Sequence, residues 1–149
     1  MNRIRAAREE DDAAVRALLA NNTLIHEDLT SASLGDFVVI PAEGGPAALA
    51  AVAGLETFQG CRDGLLRSVA VSATLRGRGV GTSLVSAIEE KARKLGLRRL
   101  WLLTTTAPDF FRSLAYEDAG RAEAPEAVQQ SNEFKRLCPA SAVCLSKLL

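Results

Sequence analysis

The 149-residue sequence predicts a mixed α/β (α+β) domain, a mostly antiparallel sheet with one parallel pair and helices flanking it. Three observations lead there. Between Phe37 and Val71, short apolar runs alternate with Gly- and Pro-rich turns, the pattern of an antiparallel meander. An amphipathic segment from Val80 to about Leu95 follows the last of these runs, and the continuous apolar stretch Leu100-Trp101-Leu102-Leu103 follows the segment. A run with no polar alternation suits a strand buried on both faces, and a helical crossover before it makes that strand parallel to Leu65–Val71. The length allows one core without disulfides or metal, so residues 1–149 are expected to form a single domain.

In chain order, Ile4–Ala6 reads as a short first strand, and Glu9–Asp12 gives an acidic start to a helix that buries Val15, Leu18 and Leu19. Asn21-Asn22 ends it, and His26–Leu29 reads as a further helical turn. Phe37–Ile40 is a strand, Glu43-Gly44-Gly45-Pro46 a turn, and Ala47–Leu55 its hairpin partner. A second turn, Gln59–Gly64, leads to the strand Leu65–Val71. The next helix places Val80, Leu84, Ile88, Ala92 and Leu95 on one face, turns Glu89, Glu90, Lys91, Arg93 and Lys94 to solvent, and stops at Gly96. Thr104–Thr106 ends the parallel strand; Pro108 and Asp109 suit the first turn of a helix with Phe110, Phe111 and Leu114 inward. Tyr116 begins a short strand, Pro125–Gln130 forms a short helix, and Ser141–Lys147 alternates as a final strand.

The junction Arg76-Gly77-Arg78-Gly79-Val80-Gly81-Thr82 joins strand to helix. The first turn of a helix has unpaired N–H groups and the positive end of its dipole, and glycines let a phosphate approach the backbone. A nucleotide P-loop needs Lys and then Ser or Thr after its last glycine, whereas here Gly81 is followed by Thr82 and Ser83. A dinucleotide fingerprint needs Gly-x-Gly-x-x-Gly near the start of a βαβ unit, and this loop reads Gly77-x-Gly79-x-Gly81 halfway along the chain.

Eighteen basic and eighteen acidic side chains cancel, so no overall field draws in nucleic acid or an anionic membrane surface. No apolar run approaches the roughly 20 residues of a membrane span, and the charged opening Met1–Arg5 is unlike a signal peptide, so a cytoplasmic protein with a small-molecule partner is expected. Cys61, Cys138 and Cys144 contain no Cys-x-x-Cys pair and have a single His to join them, which points to reduced thiols and to no metal site.

The Arg-Gly-x-Gly-x-Gly loop after a Val-Ala-Val strand resembles the acyl-CoA loop of the GNAT N-acetyltransferase superfamily, and the element order resembles that fold from end to end. The resemblance implies acetyl-CoA as cosubstrate, with the parallel strand pair at the acyl-CoA groove. It implies a bulged strand whose backbone at Val69, Ala70 and Val71 pairs with the pantetheine arm, and a diphosphate held by Arg76, Gly77, Arg78, Gly79, Val80 and Gly81, with the Thr82 hydroxyl near the helix start. Thr104 falls where many members place an Asn that touches the cofactor, and with Ser68 it is assigned to the substrate side.

Leu65–Val71, Leu102–Ala107 with Phe110-Phe111, and Glu133-Phe134 with Leu137–Cys144 are similar to GNAT enzymes encoded beside arsenic-resistance genes and labelled amino-acid N-acetyltransferases. The Leu-Leu-Thr-Thr and Phe-Phe elements also resemble those of bacterial N-acetylglutamate synthases. Both imply an amino-acid-like amine acceptor. Many family members carry a Tyr proton donor where this chain has Phe111, and a carboxylate where it has Leu65; Tyr116, the single tyrosine, matches an aromatic core position.

Acetyl transfer still needs a neutral amine. If the Gln59–Gly64 turn pairs its flanking strands, Glu56 lies across from about Leu65 and becomes the candidate catalytic base, while Arg67, on the same strand face as Leu65, is a candidate to orient the acceptor. An ordinary strand-end carboxylate at Glu56, and an ion pair between it and Arg67, are the structural alternatives. His26 is a candidate acid–base group or a surface cap. The three thiols could bind trivalent arsenic, but an alternating last strand turns Cys144 into the core. The expected function is an N-acetyltransferase acting on a small amine; a non-catalytic acyl-CoA-binding or thiol-based arsenic-sensing protein, and a protein-directed acetyltransferase, are the competing classes. Sheet edges of this architecture often pair, which leaves a homodimer open.

Overall fold

The computed structural model describes residues 4–22, 24, 29, 31–42, 48–137 and 141–149. His26, Cys138 and the Glu43–Pro46 turn therefore lie outside the described residues. The strands are β1 (Arg5–Ala6), β2 (Phe37–Pro41), β3 (Leu49–Glu56), β4 (Asp63–Val71), β5 (Arg99–Thr104), β6 (Glu117–Asp118) and β7 (Val143–Leu148). The helices are α1 (Asp12–Asn21), α2 (Val80–Lys94), α3 (Pro108–Ser113) and α4 (Glu126–Gln129). Together the strands make a seven-stranded mixed sheet in the order β1-β2-β3-β4-β5-β7-β6. Only β4 and β5 pair in parallel among the registers described, with Asp63 opposite Arg99 and Leu65 opposite Trp101; β7 runs antiparallel between β5 and β6.

The chain divides into two compact units, Met1–Leu55 with Ser68–Glu90, and Glu56–Arg67 with Lys91–Leu149. In the first, β2 and β3 form the expected hairpin pairing, Phe37 opposite Gly54 and Val39 opposite Val52. Its core joins Val15, Leu18 and Leu19 of α1 to Phe37, Val39, Val52 and Ala70 on the strands. Leu34 completes it from a 3-10 turn, Ser31–Asp36, that has no apolar periodicity to announce it in the sequence. Arg5 and Asp11 lock the entry to α1 through two hydrogen bonds of 2.8 and 3.0 Å.

Two expectations for α2 fail. Leu95 is 53 % exposed, and Leu97 is buried in its stead. The helix closes in a Schellman turn: Gly96, at φ +83°, donates to the Arg93 carbonyl, and the Leu97 amide reaches back to the Ala92 carbonyl, each at 3.0 Å. That reversal brings Leu97 onto the Ala92 face and leaves Leu95 outside it. Glu89, expected in solvent with its neighbours, is buried, although Glu90, Arg93 and Lys94 are exposed as the pattern requires.

The second unit packs Leu65 of β4, Trp101 of β5 and Cys144 of β7 against Ala124, Val128 of α4 and Phe134. Trp101 and Leu102 are buried, as a central parallel strand demands. The Tyr116 ring is buried edge-on to Phe111, at 5.9 Å between centroids, with the Lys147 ammonium 5.5 Å from its face. Phe110 and Leu114 are only half-buried, because α3 is a short, six-residue segment whose outer side meets solvent. Residues Glu133–Leu137 form a π-type turn after α4.

Candidate active site

In the first unit, β4 ends in the glycine loop. Ser68 has φ +60°, a left-handed conformation that interrupts the extended run and costs a non-glycine residue on the order of 1 kcal/mol or more. Beyond it burial alternates, with Ala70 inward and Val69 and Val71 half-exposed, and the described parallel register with β5 reaches only to Leu65. Gly77 and Gly79 both have left-handed backbones, φ +79° and +76°, and a side-chain carbon built on either would meet nothing within 4 Å. The glycines are thus required by the path of the chain, and the space above them is open to a ligand. Gly81 and Thr82 occupy the first turn of α2, while Val80 anchors that turn by burial.

Arg76 braces the loop: its Nε donates to the Val71 carbonyl at 3.2 Å, and its Nη2 donates to Asn22 Oδ1 at the end of α1. Arg78, Gly79 and Thr82 are exposed.

In the second unit, Arg67 is the centre of a charged cluster. Its Nη1 donates to Glu56 Oε1 at 3.1 Å, and its Nε lies 3.7 Å from Glu133 Oε1, an ionic contact longer than a hydrogen bond. The Arg67 side chain is 2 % exposed, Glu133 8 % and Glu56 32 %, so the base candidate is the member of the cluster that reaches solvent. Glu133 was not a sequence candidate. A lone Glu preceding Phe134 gives no spacing signal, and only the π-type turn carries it to Arg67.

Thr104 ends β5, where its Oγ1 accepts a hydrogen bond of 3.1 Å from the Ala107 amide and shapes the turn into α3. Phe111 is buried between Phe110 and Tyr116, and its ring has no proton to donate. Cys144 is buried, and loss of solvent pushes its thiol up to about 11, with Arg121 partly opposing. Cys61 Sγ accepts from the Asp63 amide at 3.4 Å. Among the described residues no group of three or more His, Cys, Asp or Glu could hold a metal, and no helix is long and apolar enough to cross a membrane.

Residues 4–116 match the Acetyltransferase (GNAT) family. The chain belongs to that family. It is 28 % identical over 116 residues, 76 % of its own length, to an amino-acid acetyltransferase of Neisseria meningitidis serogroup A, of which it covers 26 %. It is 32 % identical over 100 residues, 67 % of its length, to an amino-acid acetyltransferase of Pseudomonas aeruginosa PAO1, of which it covers 22 %. The chain therefore spans about a quarter of the length of these relatives. The structure of N-acetylglutamate synthase from Neisseria gonorrhoeae complexed with coenzyme A and L-arginine superposes with TM-score 0.81 at 25 % identity, covering 99 % of this chain and 33 % of that one. A Mycobacterium tuberculosis protein solved in complex with CoA has the same fold over 99 % of both chains, with TM-score 0.81 at 20 % identity.

Proposed function

We propose that residues 1–149 act as one domain, an acyl-CoA-dependent N-acetyltransferase that moves acetyl from acetyl-CoA to the amine of a small, amino-acid-like acceptor by direct transfer. The observation that carries the proposal is the loop after β4, with two left-handed glycines, open space above them and the first turn of α2 behind them. An anionic diphosphate suits those amides. Membership of the GNAT family and the CoA bound in the gonococcal synthase support the same ligand.

In this reading Arg76, Gly77, Arg78, Gly79, Val80, Gly81 and Thr82 hold the diphosphate, and the backbone of Val69, Ala70 and Val71 pairs with the pantetheine arm. Glu56 takes the proton from the acceptor ammonium, directly or through water. The neutral amine then attacks the thioester carbonyl carbon; a C–N bond forms, the C–S bond breaks, and the proton that the nitrogen sheds on becoming an amide passes through water to the leaving thiolate, since Phe111 supplies none. Placing two reactants together supplies much of the rate, which makes the missing Tyr tolerable. Arg67, Ser68 and Thr104 serve the acceptor side.

The relatives named amino-acid acetyltransferase support the acceptor class. Similarity to the arsenic-linked subgroup rests on Leu65–Val71, Leu102–Ala107 and the Glu133–Cys144 stretch, and extends the proposed acceptors to arsenic and phosphorus analogues of glutamate. The test is thiol release from acetyl-CoA by purified protein across amino acids, those analogues, polyamines and aminoglycosides. Stimulation by one acceptor, with a raised acetyl-CoA KM in Arg76→Ala and a lowered kcat in Glu56→Gln, supports the proposal. Tight acetyl-CoA binding in calorimetry with no thiol release favours a non-catalytic acyl-CoA-binding protein.

A further inference from the structure

Asn22 caps the C-terminus of α1, and its side-chain amide joins that helix to the glycine loop. Its Nδ2 donates to the Leu18 carbonyl at 2.9 Å, and its Oδ1 accepts from Arg76 Nη2, 54 residues away along the chain. An amide has a donor side and an acceptor side, so this one orientation satisfies both contacts at once. The support is firm: the Asn22 backbone N–H reaches the Leu18 and Leu19 carbonyls at 3.2 and 3.1 Å, and both leucines are buried in the core of their unit. Arg76 is exposed, yet its planar guanidinium is gripped at two points, Nε at the Val71 carbonyl, 3.2 Å, and Nη2 at Asn22. Both of these anchors are uncharged. They fix the plane of the guanidinium without opposing its charge, as a carboxylate in either place would.

We infer that Asn22 is a positioning residue for the anionic part of the cosubstrate: it sets the Arg76 guanidinium in place at the loop before the diphosphate arrives. The inference rests on the proposed diphosphate site at residues 76–82 and adds to it a residue from the end of α1. A free arginine on the surface must be ordered when it meets its ligand, whereas one tied down on folding has already lost that freedom, so binding loses less to ordering it. Asn22 acts here through Arg76 and touches no atom of the ligand. An aspartate in its place would offer the same acceptor but set a negative charge beside the cation that the diphosphate needs, which accounts for a neutral amide at this position.

The experiment is a double-mutant cycle read by calorimetry of acetyl-CoA binding, with the native protein, Asn22→Ala, Arg76→Ala and the double variant. The dissociation constant should rise about three- to tenfold in Asn22→Ala, the scale of one side chain that must now be ordered on binding. It should rise further in Arg76→Ala. The double variant should bind as Arg76→Ala does, because with no guanidinium present Asn22 has nothing to position. A merely structural role for Asn22, in holding the end of α1, would weaken binding by the same factor whether or not Arg76 is present. If Asn22→Ala does not fold, Asn22→Ser takes its place in the cycle, since a serine hydroxyl keeps a polar group at the helix end but lies one bond short of the guanidinium. An affinity unmoved by the substitution at Asn22, or losses that multiply in the double variant, overturns the inference and leaves the acetyl-CoA site standing. An Arg76→Ala variant that binds as the native protein does removes Arg76 from the diphosphate site, and the inference with it. Failure of the native protein to bind acetyl-CoA overturns the acetyltransferase reading itself.

Discussion

The indole Nε1 of Trp101 donates a hydrogen bond of 2.7 Å to Asp63 Oδ2, tying the side chains of the two parallel strands at their entry. Trp101 is the single tryptophan of the chain, so its fluorescence reads this contact directly. Asp63→Ala strands a donor in a largely apolar cluster and should cost about 1–3 kcal/mol in denaturant unfolding, with a shifted emission maximum in the folded state. Asp63→Asn keeps an acceptor and should stay within about 1 kcal/mol of the native protein. Equal losses in the two variants would assign the effect to something other than this bond.

Asp11 is buried, and the two hydrogen bonds from Arg5 hold its carboxyl below the usual carboxylate range, against the opposing effect of burial. A carboxyl depressed in the folded state stabilises the protein above its unfolded pKa of about 3.9, and that contribution disappears as pH falls through the lower folded value. Thermal unfolding should therefore lose stability steeply below about pH 4, and Asp11→Asn should start less stable at pH 7 and show a flatter acid limb. An acid limb unchanged by the substitution would exclude Asp11 from it.

Gly54 and Gly77 should respond differently to alanine. A carbon added at Gly54 would sit 2.4 Å from the Phe37 ring, its partner across β2 and β3, so Gly54→Ala should cost about 1–3 kcal/mol or more, the range of other overpacked cores. At Gly77 the carbon meets open space and the penalty is the left-handed backbone alone, about 1–2 kcal/mol. Gly77→Ala should fold, and calorimetry should find its acetyl-CoA affinity weakened as the loop relaxes away from positive φ. Retained affinity would remove the loop from the proposed ligand site.

A buried thiol with its pKa at about 11 is protonated at neutral pH and slow to react. In a Cys61→Ser/Cys138→Ser variant, the remaining Cys144 should react with a disulfide reagent at pH 7.5 only at the rate of unfolding. Rapid native labelling, or arsenite binding by that variant, would contradict the burial.

Much of the fold was legible because its signals are local. The Val80–Ala92 stripe, the Gly96 stop and the continuous Leu100–Leu103 run are patterns within one element, and α2 and β5 follow them. The glycine loop was legible for the same reason, as a fixed order of residues between strand and helix. What escaped is tertiary. Leu95 and Leu97 are equally apolar, and only the hydrogen-bonding of the Schellman turn chooses between them. Glu133 lies far along the chain from Glu56 and Arg67, so no spacing rule links a carboxylate after α4 to a guanidinium on β4. The Ser68 conformation is likewise invisible in a run that reads as plain strand.

That one left-handed residue also marks where the chain changes allegiance: Arg67 ends a segment of one compact unit and Ser68 opens a segment of the other. On the proposed reading, Glu56 and Arg67 shortly before it serve the amine, and the backbone of Val69–Val71 with the glycine loop shortly after it serves the thioester's carrier. Substitutions at Glu56 and Arg67 are then expected to act on turnover and acceptor, and substitutions in Arg76–Thr82 on acetyl-CoA affinity, two effects separable in one set of kinetics.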